Sequence, residues 1–200
     1  MKVLAIEISS PAGSIAVADE GRIVAERHFA CERGRGAEVF DALAHTRESW
    51  RDAEIVAVGV GPGSYNGLRV ACAIANSLQM AGGMEIRVSP SPCLLPTDEA
   101  HFLVCGDARG GRAYCAEVRG RRLCGEIALL AYGEAVSLSN RATPVFRVGS
   151  LPGGENIRQL APEAGVLALI AADLPPLTSA TVEPIYLKPP HITLPRRDAT

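Results

Sequence analysis

The stretch V-G-V-G-P-G-S-Y-N-G-L-R-V-A, residues 58–71, joins an apolar run to a helical one through a glycine-rich turn. Junctions of this kind often hold a phosphate at the start of the helix. A Walker loop needs G-x-x-x-x-G-K-[ST], with a lysine to meet the phosphates, and here Gly67 is followed by Leu68 and Arg69. A dinucleotide loop needs G-x-G-x-x-G, whereas Gly61, Gly63 and Gly67 are spaced G-x-G-x-x-x-G. The acid expected at the end of the next strand is missing too, because Glu85 precedes that strand. Nor does Ser64 occupy a G-x-S-x-G elbow. The turn reads as a tight connection between a buried strand, 54–60, and a helix from Tyr65 to Ala81. Gly82-Gly83 ends that helix, since glycine readily takes the left-handed turn that follows one.

The helix is apolar on two sides. Leu68, Ala71, Cys72, Ala75, Leu78 and Gly82 recur at helical spacing along one face. Val70, Ile74 and Ala81 form a second stripe, which leaves a narrow polar strip near Arg69, Asn76 and Gln79. Two apolar faces need cover on both. Either the helix is sandwiched inside its own domain, or one face meets the sheet and the other, rich in small side chains, meets another chain.

Around this unit the pattern is strand and turn. Residues 2–8 are a strand-length apolar run ending near Glu7, S-I-A-V-A is a second strand, and R-I-V-A-E-R-H-F a third, giving a three-stranded meander. Residues 35–49 carry Ala37, Phe40, Leu43 and Ala44 at helical spacing, and E-I-R-V at 85–88 is a short strand. The proline-rich S-P-S-P-C-L-L-P, 89–96, is the best domain boundary, dividing the chain into 1–96 and 97–200. Beyond it the opening pattern returns at an offset of 100, with Glu7 falling on Asp107, Ile15 on Cys115 and Ile23 on Leu123. A-Y-C-A-E-V and R-L-C-G-E-I-A-L-L are the matching strands, T-P-V-F-R-V is the last one, and 155–172 is partly helical around Pro162. The tail from Leu174 is proline-rich and is expected to run over the surface.

Composition sets the outer bounds. The 200 residues are 48% apolar, enough for one domain or two small ones. With 20 basic and 22 acidic side chains the net charge is −2, which argues against a stand-alone nucleic-acid binder. No apolar run approaches the ~20 residues that cross a bilayer, and the first residues lack the long apolar stretch of a signal peptide, so a cytoplasmic protein is expected. Six cysteines without a C-x-x-C pair read as packing residues. With four isolated histidines, no metal site is expected.

The apolar opening strand with its acid, G-P-G-S-Y-N-G-L-R-V at 61–70, D-A-R-G-G-R-A-Y at 107–114 and E-P-I-Y-L-K at 183–188 together resemble the TsaB (YeaZ) family. That family typically shows G-P-G-S-F-T-G-L-R, so Tyr65 and Asn66 are the departures. The resemblance implies an α/β fold of the duplicated actin, Hsp70 and sugar-kinase type, ribonuclease H-like, in two small lobes. It implies a scaffold without catalytic residues or a cofactor of its own, partner to a TsaD-like catalytic subunit that makes threonylcarbamoyladenosine beside the anticodon of tRNA. ATP and magnesium would act at the level of the complex, a third ATPase subunit (TsaE) is a further partner, and tRNA is met only indirectly. First-lobe helices would contact TsaD or a second copy of the chain. On this chain that points to Tyr65, Asn66, Arg69, Val70, Ala73, Ile74 and Ser77, with the second lobe trimmed relative to the family.

The rival reading is an actin-fold ATPase or kinase-like enzyme, supported by Glu7, Asp107 and the glycine loops, whereas on the scaffold reading Glu7, Ser9, Asp107 and Arg109 would be a vestigial nucleotide site. The resemblance weighs against it, because nucleotide-binding relatives place aspartate where Glu7 stands and glycine where Ser9 stands. Gly149-Ser150 occupies the place of an adenosine-gripping Gly-Gly, R-G-A-E at 35–38 replaces the family's H-S-E, and the H-x-x-x-H of TsaD relatives is absent. Asp107 and Arg109 either hold an anionic ligand or fold their own turn. No nucleophile–base pair or metal motif supports a protease.

Overall fold

The computed structural model describes residues 1–31 and 37–187. Three strands open the chain, β1 (Lys2–Glu7), β2 (Ala12–Asp19) and β3 (Arg22–Ala30). The helices α1 (Ala37–His45) and α2 (Arg47–Trp50) lead to β4 (Ile55–Gly59), and α3 (Tyr65–Gly82) and β5 (Glu85–Ser89) follow. These strands form one sheet in the order β3-β2-β1-β4-β5, antiparallel on the β3 side and parallel across β1, β4 and β5.

Alternation along the central strands gives this sheet two different faces. Leu4, Ile6, Ile15, Val17, Val56 and Val58 point to one side and pack under Val39, Ala42 and Leu43 of α1 and Ala71, Cys72, Ile74 and Ala75 of α3. Val3, Ala5, Ala16, Ala18, Ile55 and Ala57 point to the other. The second set is mostly alanine, so whatever covers that face can lie close to the backbone.

The second sheet repeats the plan. It contains β6 (His101–Asp107), β7 (Arg112–Arg119), β8 (Arg122–Leu123) and β9 (Ala128–Ala131), then α4 (Tyr132–Ser137) and β10 (Val145–Val148). Its order is β10-β6-β7-β8, with β9 also on β7 and β10 parallel to β6. β2 at 12–19 and β7 at 112–119 lie at the expected offset of 100, and this is the duplicated α/β architecture. The hairpins differ by one residue in register, because Glu7 stands opposite Ser14 whereas Asp107 stands opposite Ala113.

Two expected elements are corrected. The helix over 35–49 is two helices, broken at Thr46, whose hydroxyl donates to Ala42 O at 2.9 Å. Residues 35 and 36 lie outside the described residues. Its inward face is Val39, Ala42 and Leu43, while Ala37, Phe40 and Ala44 are exposed. The run 122–130 is not one strand either. Gly125 sits at φ 81°, a left-handed conformation that interrupts a pleated strand, and pairing resumes only at Ala128.

The helix after β10, α5 (Ala164–Ile170), does not stay with the second sheet. Ala164, Leu167, Ala168 and Ala171 close the alanine-rich face of the first sheet. Ser14 Oγ on β2 accepts the Ala164 amide at 2.8 Å, which satisfies one of the free N–H groups of the helix start. Arg121 ties the connection between the sheets to the second one, its guanidinium donating to the carbonyls of Cys93, Leu95 and Thr97. The tail then crosses the first sheet's edge and α3. Leu177 N donates to Ile86 O, Ile185 N to Val60 O, and Asn76 exchanges two hydrogen bonds with the Val182 backbone. Among the described residues no helix is long and apolar enough to cross a membrane.

Candidate docking face and carboxylate site

The glycine loop is built around the turn that follows β1. Ser64 N donates to Ser9 O at 2.7 Å, Gly61 N to Ser91 Oγ at 3.0 Å, and Ser91 N returns to Gly61 O at 2.9 Å. The Gly61–Pro62 peptide is cis. Ser64 caps α3, its Oγ accepting Gly67 N at 3.4 Å and its carbonyl accepting Leu68 N at 2.9 Å. A Cβ on Gly63 would lie 2.1 Å from Ser9 O, and one on Gly67 2.2 Å from Ile8 O. The glycines are there so that two backbones can touch. The amides of Gly61, Ser64 and Gly67 are thus already bonded within the chain.

That contact fixes the direction of α3. Leu68, Ala71, Cys72, Ile74 and Ala75 are buried and Val70 is half-buried. Tyr65, Asn66, Arg69, Ala73 and Ser77 are exposed, and Met80 continues the stripe at 87% exposure. Of the residues expected at a partner surface, Ile74 is therefore turned inward, 9% exposed within the core. At the start of the helix Arg69 lies over the Tyr65 ring, 5.4 Å from its centroid, and Tyr65 packs on Tyr186 of the tail at 5.0 Å. α1 rests on the same side of the sheet and leaves Phe40 outward at 56% exposure. The outer side of the helical layer thus carries small side chains and Met80 on α3 and Phe40 on α1. Met80 carried a legible signal, since it follows Ala73 by seven residues and Ser77 by three.

The second group is the candidate nucleotide site, and it falls into two pairs. Glu7 is fully buried at the end of β1. Its Oε1 accepts Ser9 N at 2.6 Å and its Oε2 accepts Ser91 Oγ at 2.8 Å. Ser9 Oγ, also buried, has no hydrogen-bond partner among the described residues. Asp107 is exposed, and its Oδ1 accepts Arg109 N at 2.7 Å and Tyr132 OH at 2.8 Å. Arg109 sits at φ 58° in that turn. Asp107 thus closes a local turn across which Arg109 contributes its backbone. A cavity of about 500 Å³ does open between the lobes, lined by Ser10, Pro11, Ala12, His28, Gly149 and Gln159 among others, but neither Glu7 nor Asp107 lines it. Magnesium with nucleotide needs exposed oxygen ligands in near-octahedral array, which the enclosed and already bonded Glu7 carboxylate does not offer. Among the described residues no group of three or more His, Cys, Asp or Glu is placed to hold a metal ion. Ser91 and Tyr132 were not foreseen, because each meets its acid only through the tertiary fold.

Burial pushes the Glu7 carboxyl above its ordinary value of 4.5, against the hydrogen bonds from Ser9 and Ser91 that pull it down. The folded protein therefore holds this proton more tightly than the unfolded chain does. Its contribution to stability is fully present below about pH 4.5 and is lost as pH rises through the folded value. In urea titrations at a series of pH values, Glu7→Gln is expected to remove a decline of up to about 1.4 kcal/mol per pH unit that begins near the ordinary carboxylate value. An unchanged slope would mean that Glu7 does not carry the raised proton.

Comparison with known proteins bears on the family and the fold. The family model described as TsaD, tRNA N6-adenosine threonylcarbamoyltransferase, matches residues 36–181. The chain is 30% identical over 128 residues to the tRNA threonylcarbamoyladenosine biosynthesis protein TsaB of Escherichia coli (strain K12), a match that covers 58% of this chain and 54% of that protein. The chain thus spans about half the length of that curated relative. Two solved structures from Pseudomonas aeruginosa share the fold. One is described as an uncharacterized protein with similarity to peptidase YEAZ, with TM-score 0.76, 22% identity and coverage of 94% of this chain and 99% of that one. The other is YeaZ, with TM-score 0.70, 23% identity and coverage of 93% and 99%. Matched by the model over well more than half of its length, the chain belongs to the threonylcarbamoyltransferase family that the model describes.

Proposed function

We propose that this chain is a docking subunit in the making of threonylcarbamoyladenosine in tRNA, and that it works by presenting α1 and α3 to a TsaD-like catalytic subunit. The observation that carries the reading is the outer stripe of α3, where Ala73, Ser77 and Met80 stand in solvent on a helix whose direction the glycine loop fixes. Small side chains allow two helices to approach closely, and an exposed methionine supplies an adaptable apolar contact. Neither the sealed Glu7 nor the turn-bound Asp107 is poised for chemistry, which supports this reading. The catalytic groups belong to the partner, a TsaE-like ATPase joins the assembly, and tRNA is met through the complex in the cytoplasm. A second copy of the chain uses the same face when no partner is present.

Ala73→Arg tests this. Ala73 is exposed, so the variant is expected to keep the wild-type melting temperature while weakening binding to a purified TsaD-like protein at least tenfold, about 1.4 kcal/mol. Calorimetry measures the affinity and size-exclusion chromatography the co-elution. Wild-type affinity in the variant would remove α3 from the interface and the proposal with it.

A further inference from the structure

The second sheet carries a pair of cysteines that neither the docking face nor the carboxylate site uses. Cys105 on β6 and Cys115 on β7 stand directly opposite each other in the antiparallel ladder. Their sulfurs are 2.9 Å apart, and both are free thiols. Directly opposed residues in such a ladder have Cα atoms about 4.5–5.5 Å apart, inside the range that a disulfide spans. A bond of about 2.0 Å needs the sulfurs to close by about 0.9 Å from their 2.9 Å separation. The sequence hides this pair, because nine residues and a turn of unread register separate the two positions.

We infer that Cys105 and Cys115 are an oxidation site, a dithiol that reacts with hydrogen peroxide to give a cross-strand disulfide. Cys115 attacks first. It is 8% exposed where Cys105 is fully enclosed, and the hydrogen bond that the two sulfurs share favours its thiolate. The Cys115 thiolate takes one peroxide oxygen, becoming a sulfenic acid and releasing hydroxide, which carries off the Cys115 proton as water. Cys105 sulfur then attacks the Cys115 sulfur, the S–S bond forms, and the S–O bond breaks with the Cys105 proton leaving in a second water. Two thiols and one peroxide give one disulfide and two waters. A small uncharged oxidant suits the location, which lies beneath α4 among Ala113, Ala135 and Leu151. The product closes the hairpin that carries the Asp107 turn. This inference stands independently of the docking role.

The full chain, reduced and freed of reductant, is treated with a few equivalents of hydrogen peroxide, alkylated, and digested with trypsin without reductant. Cleavage after Arg87, Arg109, Arg112 and Arg119 leaves segments 88–109 and 113–119 as separate peptides unless a disulfide joins them. The expected result is loss of two alkylatable thiols per chain, a joined peptide pair whose fragments place the bond on Cys105 rather than Cys93, and full recovery with dithiothreitol. Cys93→Ser is expected to retain the pair and Cys105→Ser to lose it. Overturning results are a bond mapped to Cys93, or Cys105 and Cys115 still fully alkylated while the exposed Cys124 is oxidised.

Discussion

Gly63→Ala is expected to destabilise the protein by about 3 kcal/mol or more, although it adds one methyl group to an exposed loop. The methyl would meet Ser9 O at 2.1 Å, Ser9 Cβ at 2.7 Å and the Ser9 carbonyl carbon at 2.8 Å. Two of those three atoms are backbone, so no rotamer change relieves the clash and the loop itself must move away. Moving it breaks the 2.7 Å bond from Ser64 N to Ser9 O and tilts the start of α3. Gly82→Ala is the control, because nothing lies within 4 Å of the added carbon and alanine favours the helix by up to about 1 kcal/mol. Urea denaturation of both variants gives the comparison. Equal stability of Gly63→Ala and wild type would show that the loop does not bear on the β1 turn as described.

The second large effect separates two neighbours on one helix. Ile74→Asp is expected to leave the chain unfolded or insoluble, whereas Ala73→Arg folds. Ile74 lies in the core with Val58, Ala71 and Ala75. An aspartate there loses the buried side chain and encloses a carboxyl that has no partner, and together these exceed about 5 kcal/mol, as much as many domains have in total. Circular dichroism and solubility after expression are the measurements. A soluble, cooperatively melting Ile74→Asp would mean that α3 is rotated about its axis.

That pair also marks how far the sequence could be read. The meander, the repeat at an offset of 100 and the bounds of α3 were legible because each rests on local rules: alternation, glycine turns and helical spacing. Which side of a helix faces inward is not local when both sides are apolar. On α3 the stripe of Val70, Ile74 and Ala81 looked uniform, yet Ile74 is buried, Val70 half-buried and Ala81 exposed. On α1 the bulk of Phe40 drew the stripe to the wrong face, and the smaller Val39 and Ala42 are the residues inside. Contacts between distant segments left no trace at all. Ser91 reaches Glu7 from the segment that joins the two sheets, and the Ala164 amide finds Ser14 from 150 residues further along the chain.

The return of α5 to the first sheet has a consequence for synthesis. A ribosome finishes β4 at Gly59 and reaches Ala164 only after the whole second sheet has been made. At cellular elongation rates that interval lasts roughly 5–20 s. Until then the alanine-lined side of the nascent sheet lacks α5, although Leu94 of the same cluster has already been made. The protein's earliest strands wait for α5, and a nascent-chain chaperone has the most to shield during that wait.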